Sequence, residues 1–231
     1  LQEWIEKNSK GYIDSPPNIP QGTEFIISNI VFFKGKWEKQ FEPRRTQREP
    51  FWINANSSVM VDMMHMPNAR VRCHAENDTI IARLPYKGLE ISMIVIIDRS
   101  STLDNGTNLM NLISNFEERA ENCFFLDLSM PRFYLEQNTN YIDILKKMGI
   151  AKMFSDDADF SGITDDPLYI NLLQQAVHME VNERGTTAAA LTSMGGGAAP
   201  ETLRLNRPFF FAIMHETERI PLFIGRVVDP R

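Results

Sequence analysis

Glu180-Val181-Asn182-Glu183-Arg184-Gly185-Thr186-Thr187-Ala188-Ala189-Ala190 is the stretch whose reading decides the fold. It closes an alternating segment, His178 to Gly185, and opens a run from Thr186 to Ala199 (TTAAALTSMGGGAA) that carries no charge. By composition such a run is a flexible surface linker, because Gly195-Gly196-Gly197 loses much chain entropy when fixed. Its position argues for more. A long loop near the C-terminus, between segments that read as buried strands, is uncommon in compact domains and is usually functional.

The segments on either side of the loop are mostly strand-like. Thr23 to Phe33 (TEFIISNIVFF) is apolar and rich in β-branched and aromatic residues, the pattern of a strand buried on both faces. Further strands are expected at Ile80 to Leu84, Ile91 to Ile97, Phe124 to Ser129, Thr202 to Leu205, Phe209 to Met214 and Leu222 to Val228. Helices are expected at Asn108 to Ala120, where Leu109, Leu112, Ile113 and Phe116 form one stripe, and at Asn140 to Met148, with Tyr141, Ile144, Leu145 and Met148. The 231 residues are 43% hydrophobic, enough for a sizeable core. Strands at both ends with a few helices between them predict an α+β fold.

Charge and cysteine usage exclude several classes. A net charge of −6 argues against nucleic acid as a partner. Lys34, Lys36, Lys39, Arg44, Arg45 and Arg48 crowd one segment, but Glu38, Glu42 and Glu49 lie among or beside them, so a solvated mixed-charge face is favoured over a polyanion site of the heparin kind. Two cysteines, Cys73 and Cys123, exclude a disulfide-stapled scaffold and offer no metal spacing; whether they bridge is not readable from spacing. The longest apolar runs, such as Ile91 to Ile97, fall far short of the roughly 20 residues of a membrane span. Glycosylation patterns occur at Asn56-Ser57-Ser58, Asn77-Asp78-Thr79 and Asn105-Gly106-Thr107, a weak pointer to secretion. The chain opens on Leu1 inside a helical pattern with no initiator Met, and is expected to be a piece of something longer.

The deciding stretch resembles a serpin strand running into its hinge, where acidic residues, a Gly, a Thr and small residues precede a reactive bond. The resemblance extends along the chain. Asn29-Ile30-Val31-Phe32-Phe33-Lys34-Gly35-Lys36-Trp37 is similar to the family's central strand and its Trp, and Val61-Asp62-Met63-Met64 and Leu84-Pro85-Tyr86-Lys87-Gly88 to two sheet segments. Phe154-Ser155 with Ala158-Asp159-Phe160-Ser161-Gly162-Ile163 is similar to the pattern upstream of the hinge. Arg207-Pro208-Phe209-Phe210-Phe211 and Leu222 to Pro230 (LFIGRVVDP) resemble the last two core strands.

The resemblance implies a multi-sheet α+β domain lacking its N-terminal part, with residues 1–231 the C-terminal portion of one serpin domain and 185–205 an exposed reactive loop. It implies a monomeric, non-enzymatic inhibitor of serine proteases without cofactor or metal, trapping its target covalently as a suicide substrate. Glu183, Gly185, Thr186, Thr187, Ala188, Ala189 and Ala190 would form the hinge, and Trp37 would pack where the sheet opens. The family's commonest spacing from Gly185 would make Ala199 the scissile residue, with Pro200 after the bond. A loop one residue shorter, which the family also uses, puts the reactive bond at Ala198-Ala199, the preferred reading, which suits an elastase-like enzyme, whereas Met194 and Leu203 would suit a chymotrypsin-like one. As a strand, the segment would place Thr186, Ala188, Ala190, Thr192 and Met194 on one face, small near the hinge, and no Pro between Gly185 and Ala199 blocks the ladder.

Departures from the family pattern are Gln175-Ala176, where the family often has His-Lys, and Thr187, where an acidic residue is common. Two alternatives stand beside inhibition. A non-inhibitory serpin, a carrier or chaperone, or a truncated inactive product, would keep the fold. A hydrolase would need His65, His74, His178 or His215 to serve a Ser nucleophile, and no Ser here sits in a nucleophile-elbow pattern.

Overall fold

A computed structural model describes residues 19, 21, 23, 25–98, 106–184 and 201–231. Gly185, Thr186, Thr187, Ala188, Ala189, Ala190, Ala198 and Ala199 of the expected hinge and reactive bond, and the glycosylation candidate Asn105, lie outside the described residues. In chain order the strands are β1 (Ile26–Phe33), β2 (Gln47–Asn54), β3 (Ser57–Glu76), β4 (Thr79–Pro85), β5 (Ile91–Asp98), β6 (Glu121–Pro131), β7 (Phe133–Asn140), β8 (Leu172–Val181), β9 (Glu201–Arg204), β10 (Phe209–His215) and β11 (Ile220–Val227). The helices are α1 (Gly106–Arg119) and α2 (Ile142–Lys147), with 3-10 turns at Pro43–Arg45 and Lys152–Phe154.

The described chain divides into two compact units, one drawn from residues up to 34 and 134–180, the other from 35–133 and 181–231. The first is built on a three-stranded sheet of order β1-β8-β7. β1 runs parallel to β8, from Ile26 opposite Leu172 to Phe33 opposite Met179. β1 is not buried on both faces as its composition suggested: Ile27 is 38% exposed and the other apolar side chains are half-buried. Among the described residues it is an edge strand, bonded on one side only. Phe25 meets Phe160 edge-on at 5.4 Å within the same unit. Gln175, one of the departures from the family pattern, accepts a hydrogen bond from the Tyr141 hydroxyl at 3.2 Å.

The second unit is an eight-stranded sheet of order β11-β10-β5-β4-β3-β6-β9, with β2 paired to β3. β3 organises it: its first part pairs with β2, its last with β4, and Met63 to Cys73 pair with β6 on the other side. β4, β5, β10 and β11 follow as antiparallel neighbours, whereas β9 joins β6 in parallel. Helix α1 forms where the apolar stripe predicted it and buries Leu109, Ile113 and Phe116 against Ile81, Ile94, Ile96, Ala212 and Met214. Each such side chain contributes about 1.5–3 kcal/mol on leaving water. A disulfide joins Cys73 to Cys123 across β3 and β6, with Cα atoms 5.7 Å apart, which settles the pairing that spacing left open.

Of the segment 185–205 read as the loop, residues 201–204 belong to β9. Their backbone is drawn into the ladder of β6, with Thr202 opposite Asp127 and Arg204 opposite Ser129.

Candidate functional site around Glu183 and Trp37

At the end of β8 burial alternates, with Met179 and Val181 buried and Glu180 half-buried between them, and this alternation continues past the last residue of the strand. Val181 and Glu183 are buried at 2% and 5% exposure, Asn182 is half-buried between them, and Arg184 is exposed. A carboxylate on the buried side of such an alternation costs free energy unless it is paired and hydrogen-bonded. Glu183 meets both conditions. Its Oε1 accepts from Arg132 Nη2 at 2.6 Å and from Thr46 Oγ1 at 2.6 Å. Burial works against the charge, but the hydrogen bonds from Arg132 and Thr46 and the guanidinium charge outweigh it, holding the Glu183 carboxyl below the usual glutamate value. Arg132 Nη1 also lies 3.4 Å from Asp62 Oδ2, and Arg48 lies 3.6 Å from the other Asp62 oxygen.

Trp37 holds the backbone beside Glu183. Its indole Nε1–H donates to the Asn182 carbonyl at 2.8 Å, and its backbone N–H donates to the Arg184 carbonyl at 3.4 Å. The Asn182 side chain turns the chain by accepting from the Arg184 N–H at 2.9 Å. Trp37 is itself fixed from behind. It is 2% exposed, stacks on Tyr86 at 4.3 Å with planes 12° apart, and meets Phe41 edge-on at 5.9 Å. Backbone bonds from Lys87 N to Lys36 O (2.6 Å) and Glu38 N to Pro85 O (2.9 Å) lock the two segments together. Burial pushes the Tyr86 hydroxyl well above its ordinary range.

Beyond residue 200 the chain is fixed again, on the eight-stranded sheet. Leu203 and Leu205 are 1% and 0% exposed, Leu205 N–H donates to Ser129 O at 2.8 Å, and Trp52 N–H donates to Asn206 O at 2.8 Å. The chain thus enters the segment 185–200 from a buried clasp and leaves it into a paired strand.

A family description, Serpin (serine protease inhibitor), matches residues 1–230. The chain belongs to the serpin family. Over its whole length this serpin is 32% identical to alpha-1-antitrypsin 1-5 of Mus musculus, and 31% identical to both serpin B3 of Homo sapiens and ovalbumin of Gallus gallus. It spans 57%, 63% and 62% of those proteins, about three-fifths of their length. Two solved structures share the fold. The mouse protein-Z dependent protease inhibitor superposes with a TM-score of 0.84 at 29% identity, covering 100% of this chain and 62% of that one. Uncleaved ovalbumin superposes at 0.82 and 29% identity, covering 99% and 61%. The multi-sheet α+β expectation is met.

The sequence of this serpin singles out Trp37 and Glu183, and the structure sets beside them Arg132, Thr46 and Tyr86, which reach the clasp from distant strands and turns; of these three the sequence marked only Tyr86, as part of a sheet segment and not as a site residue. The histidines are engaged elsewhere. His65 has Asp127 Oδ2 2.6 Å from Nδ1 and Glu49 Oε1 2.8 Å from Nε2, so neither ring nitrogen faces Ser129, the residue opposite it on β6. His74 lies 3.5 Å from Glu76, His178 meets Tyr134 edge-on at 4.9 Å, and His215 Nδ1 accepts from the Glu218 N–H at 3.3 Å. Several cations of the basic segment are likewise occupied. Arg45 pairs with Glu42, Arg48 with Asp62, and Lys39 donates to the Pro67 and Asn68 carbonyls, its amine pushed down by burial and by Arg70. Among the described residues no group of three His, Cys, Asp or Glu side chains could hold a metal, and no helix is long and apolar enough to cross a membrane.

Proposed function

We propose that the chain is the C-terminal portion of a secreted inhibitory serpin, a suicide substrate for serine proteases of the elastase-like or chymotrypsin-like kind. The observation that carries this reading is the pair of anchors. Trp37 and Glu183 fix the chain just before Gly185, and β9 fixes it from Glu201 onward. Between them the sequence is uncharged and free of Pro as far as Ala199. A protease serine attacks the scissile carbonyl of the presented loop. The released arm, whose small Thr186, Ala188 and Ala190 share one face, enters a sheet as a new strand and carries the acyl-enzyme with it. The disulfide Cys73–Cys123 supports an oxidising compartment, and hence secretion.

Incubation of the full-length protein with elastase-like and chymotrypsin-like enzymes, followed by denaturing electrophoresis, tests the reading. A covalent band is expected. Nicking without a band overturns inhibition and leaves a non-inhibitory serpin or a truncated inactive product. Thr186→Arg should convert trapping into nicking, because an unpaired guanidinium entering the sheet costs several kcal/mol and lets deacylation outrun insertion. If the variant traps protease with unchanged stoichiometry, insertion of this arm is the wrong mechanism.

A further inference from the structure

We propose that Asn77 carries an N-linked glycan whose first N-acetylhexosamine sits over the cavity between α1 and the β3–β4 hairpin. Asn77-Asp78-Thr79 matches the acceptor pattern, which by itself arises often by chance. The structure adds two independent observations. Asn77 occupies the exposed two-residue turn between paired Glu76 and Thr79, with a left-handed φ of 52°, so a sugar there displaces no packed group. Such φ values are several-fold enriched in Asn. β3, the strand that leads into this turn, also holds Cys73 of the disulfide, and disulfides persist in the compartments through which secreted glycoproteins pass.

A third observation concerns the space beside the turn. Asn77 lines a cavity of about 290 Å³, together with the apolar Ile81, Leu112 and Phe116 and the polar His74, Asn115 and Arg119. That volume lies just below the roughly 300 Å³ at which small-molecule sites begin, enough for a single ring and too small for an extended ligand. A pyranose presents an apolar C–H face and a polar edge with its acetamido group, and this lining offers both characters. Asn56, the other described acceptor, lies in an exposed turn at the far end of the 20-residue β3 and is not among the residues lining this cavity. The covalent step is a displacement. The Asn77 side-chain amide nitrogen forms a bond to the anomeric carbon of a lipid-pyrophosphate-linked oligosaccharide as the carbon–oxygen bond to the pyrophosphate breaks. The amide gives up one proton to the transferase, and the lipid pyrophosphate leaves.

The test is expression of the full-length protein in a cell with a glycosylating secretory pathway, followed by glycopeptide mass spectrometry. Asn77 should be occupied in most chains, Thr79→Val should abolish occupancy, and Thr79→Ser should keep it. A bare Asn77 in the secreted wild-type protein overturns the proposal. For the seat, the unaltered sequence is made with and without glycan and compared by NMR, and glycan release by peptide N-glycosidase is timed on native and unfolded protein. A shift of the His74 ring resonances and about tenfold slower native release are expected. Unmoved His74 resonances, or equal rates of release, overturn the seating over the cavity.

Discussion

Arg132 Nη2 lies 2.6 Å from Glu183 Oε1, so the residue just past the end of β6 is tied to the chain two residues before Gly185. The bond is one-sided in exposure. Glu183 is buried and Arg132 is half in solvent, so losing the carboxylate releases a cation to water, whereas losing the guanidinium strands a buried anion. Glu183→Ala should therefore cost about 1.5–3 kcal/mol, as expected for a hydrogen bond to a charged group, and Arg132→Ala should cost more. Urea midpoints of the two variants of the full-length protein check the order.

The same contact has a pH signature. The folded-state pKa of Glu183 is depressed, so the unfolded chain binds the proton more tightly and stability rises with pH through this window. The contribution is fully present above the ordinary glutamate value and is lost as pH falls through the lowered one. Glu183→Gln keeps an acceptor without the charge and should flatten the acid limb of the stability profile relative to the parent. Parallel acid limbs in parent and variant would remove Glu183 from the account.

Trp37 makes two separable contributions. Trp37→Phe keeps a ring against Tyr86 but deletes the indole N–H that reaches the Asn182 carbonyl. The expected loss is about 0.5–1.5 kcal/mol, a typical net hydrogen bond. Trp37→Ala also empties a buried aromatic site and should cost about 3–5 kcal/mol. Near-equal effects would mean that the hydrogen bond, not the stack, holds the clasp.

How much of this was legible depended on whether the signal was local. β5, β10 and α1 announce themselves because their buried faces are written in consecutive or regularly spaced apolar residues, as in Phe209 to Met214 and Leu109 to Phe116. β3, which organises the large sheet, was recognised only at Val61 to Met64, through the family resemblance, and its length was not. Pro67 and Asn68 interrupt it with residues that normally end a strand, yet Asn68 takes a φ of 51° and the pairing with β6 resumes in the same register at Ala69. Lys39 from outside the strand donates to the Pro67 and Asn68 carbonyls and holds that interruption. β2 was hidden by its charges and Pro50, which an outer strand tolerates because one side needs no partner. The partners of Glu183 carried no local sign at all, since Thr46 and Arg132 lie 137 and 51 residues away.

Gly225 is required by a close approach. It stands opposite Phe211 in the β10–β11 pair, and a Cβ added to it would lie 2.5 Å from Phe211 Cζ and 2.6 Å from Cε1. The ring has little room to yield, being 2% exposed with Phe133 at 5.9 Å. Gly225→Ala should destabilise by about 1–3 kcal/mol through overpacking. Adding Phe211→Leu should recover part of that loss, and additive effects in the double variant would show that the two sites do not touch.

Under the proposed inhibitory function, the scissile bond is constrained from both ends of the segment 185–205. The commonest family spacing from Gly185 would make Ala199 the scissile residue, but Pro200 would follow the bond, and most serine proteases accept a Pro there poorly. A loop one residue shorter moves the cut to Ala198-Ala199, where a small apolar side chain suits a shallow elastase-like pocket. The alternatives downstream fare worse. Leu203 is 1% exposed and paired to Leu128 in β9, so its side chain cannot enter a protease pocket unless the strand leaves the sheet. Arg204, the basic residue a trypsin-like enzyme would need, is held in the same strand opposite Ser129. Upstream, cleavage after Met194 would leave a short arm for insertion. Mass spectrometry of the C-terminal peptide released by an elastase-like enzyme should find it beginning at Ala199; covalent trapping of a trypsin-like enzyme with a peptide beginning at Leu205 would mean that β9 opens to present Arg204 and that the Ala198-Ala199 assignment is wrong.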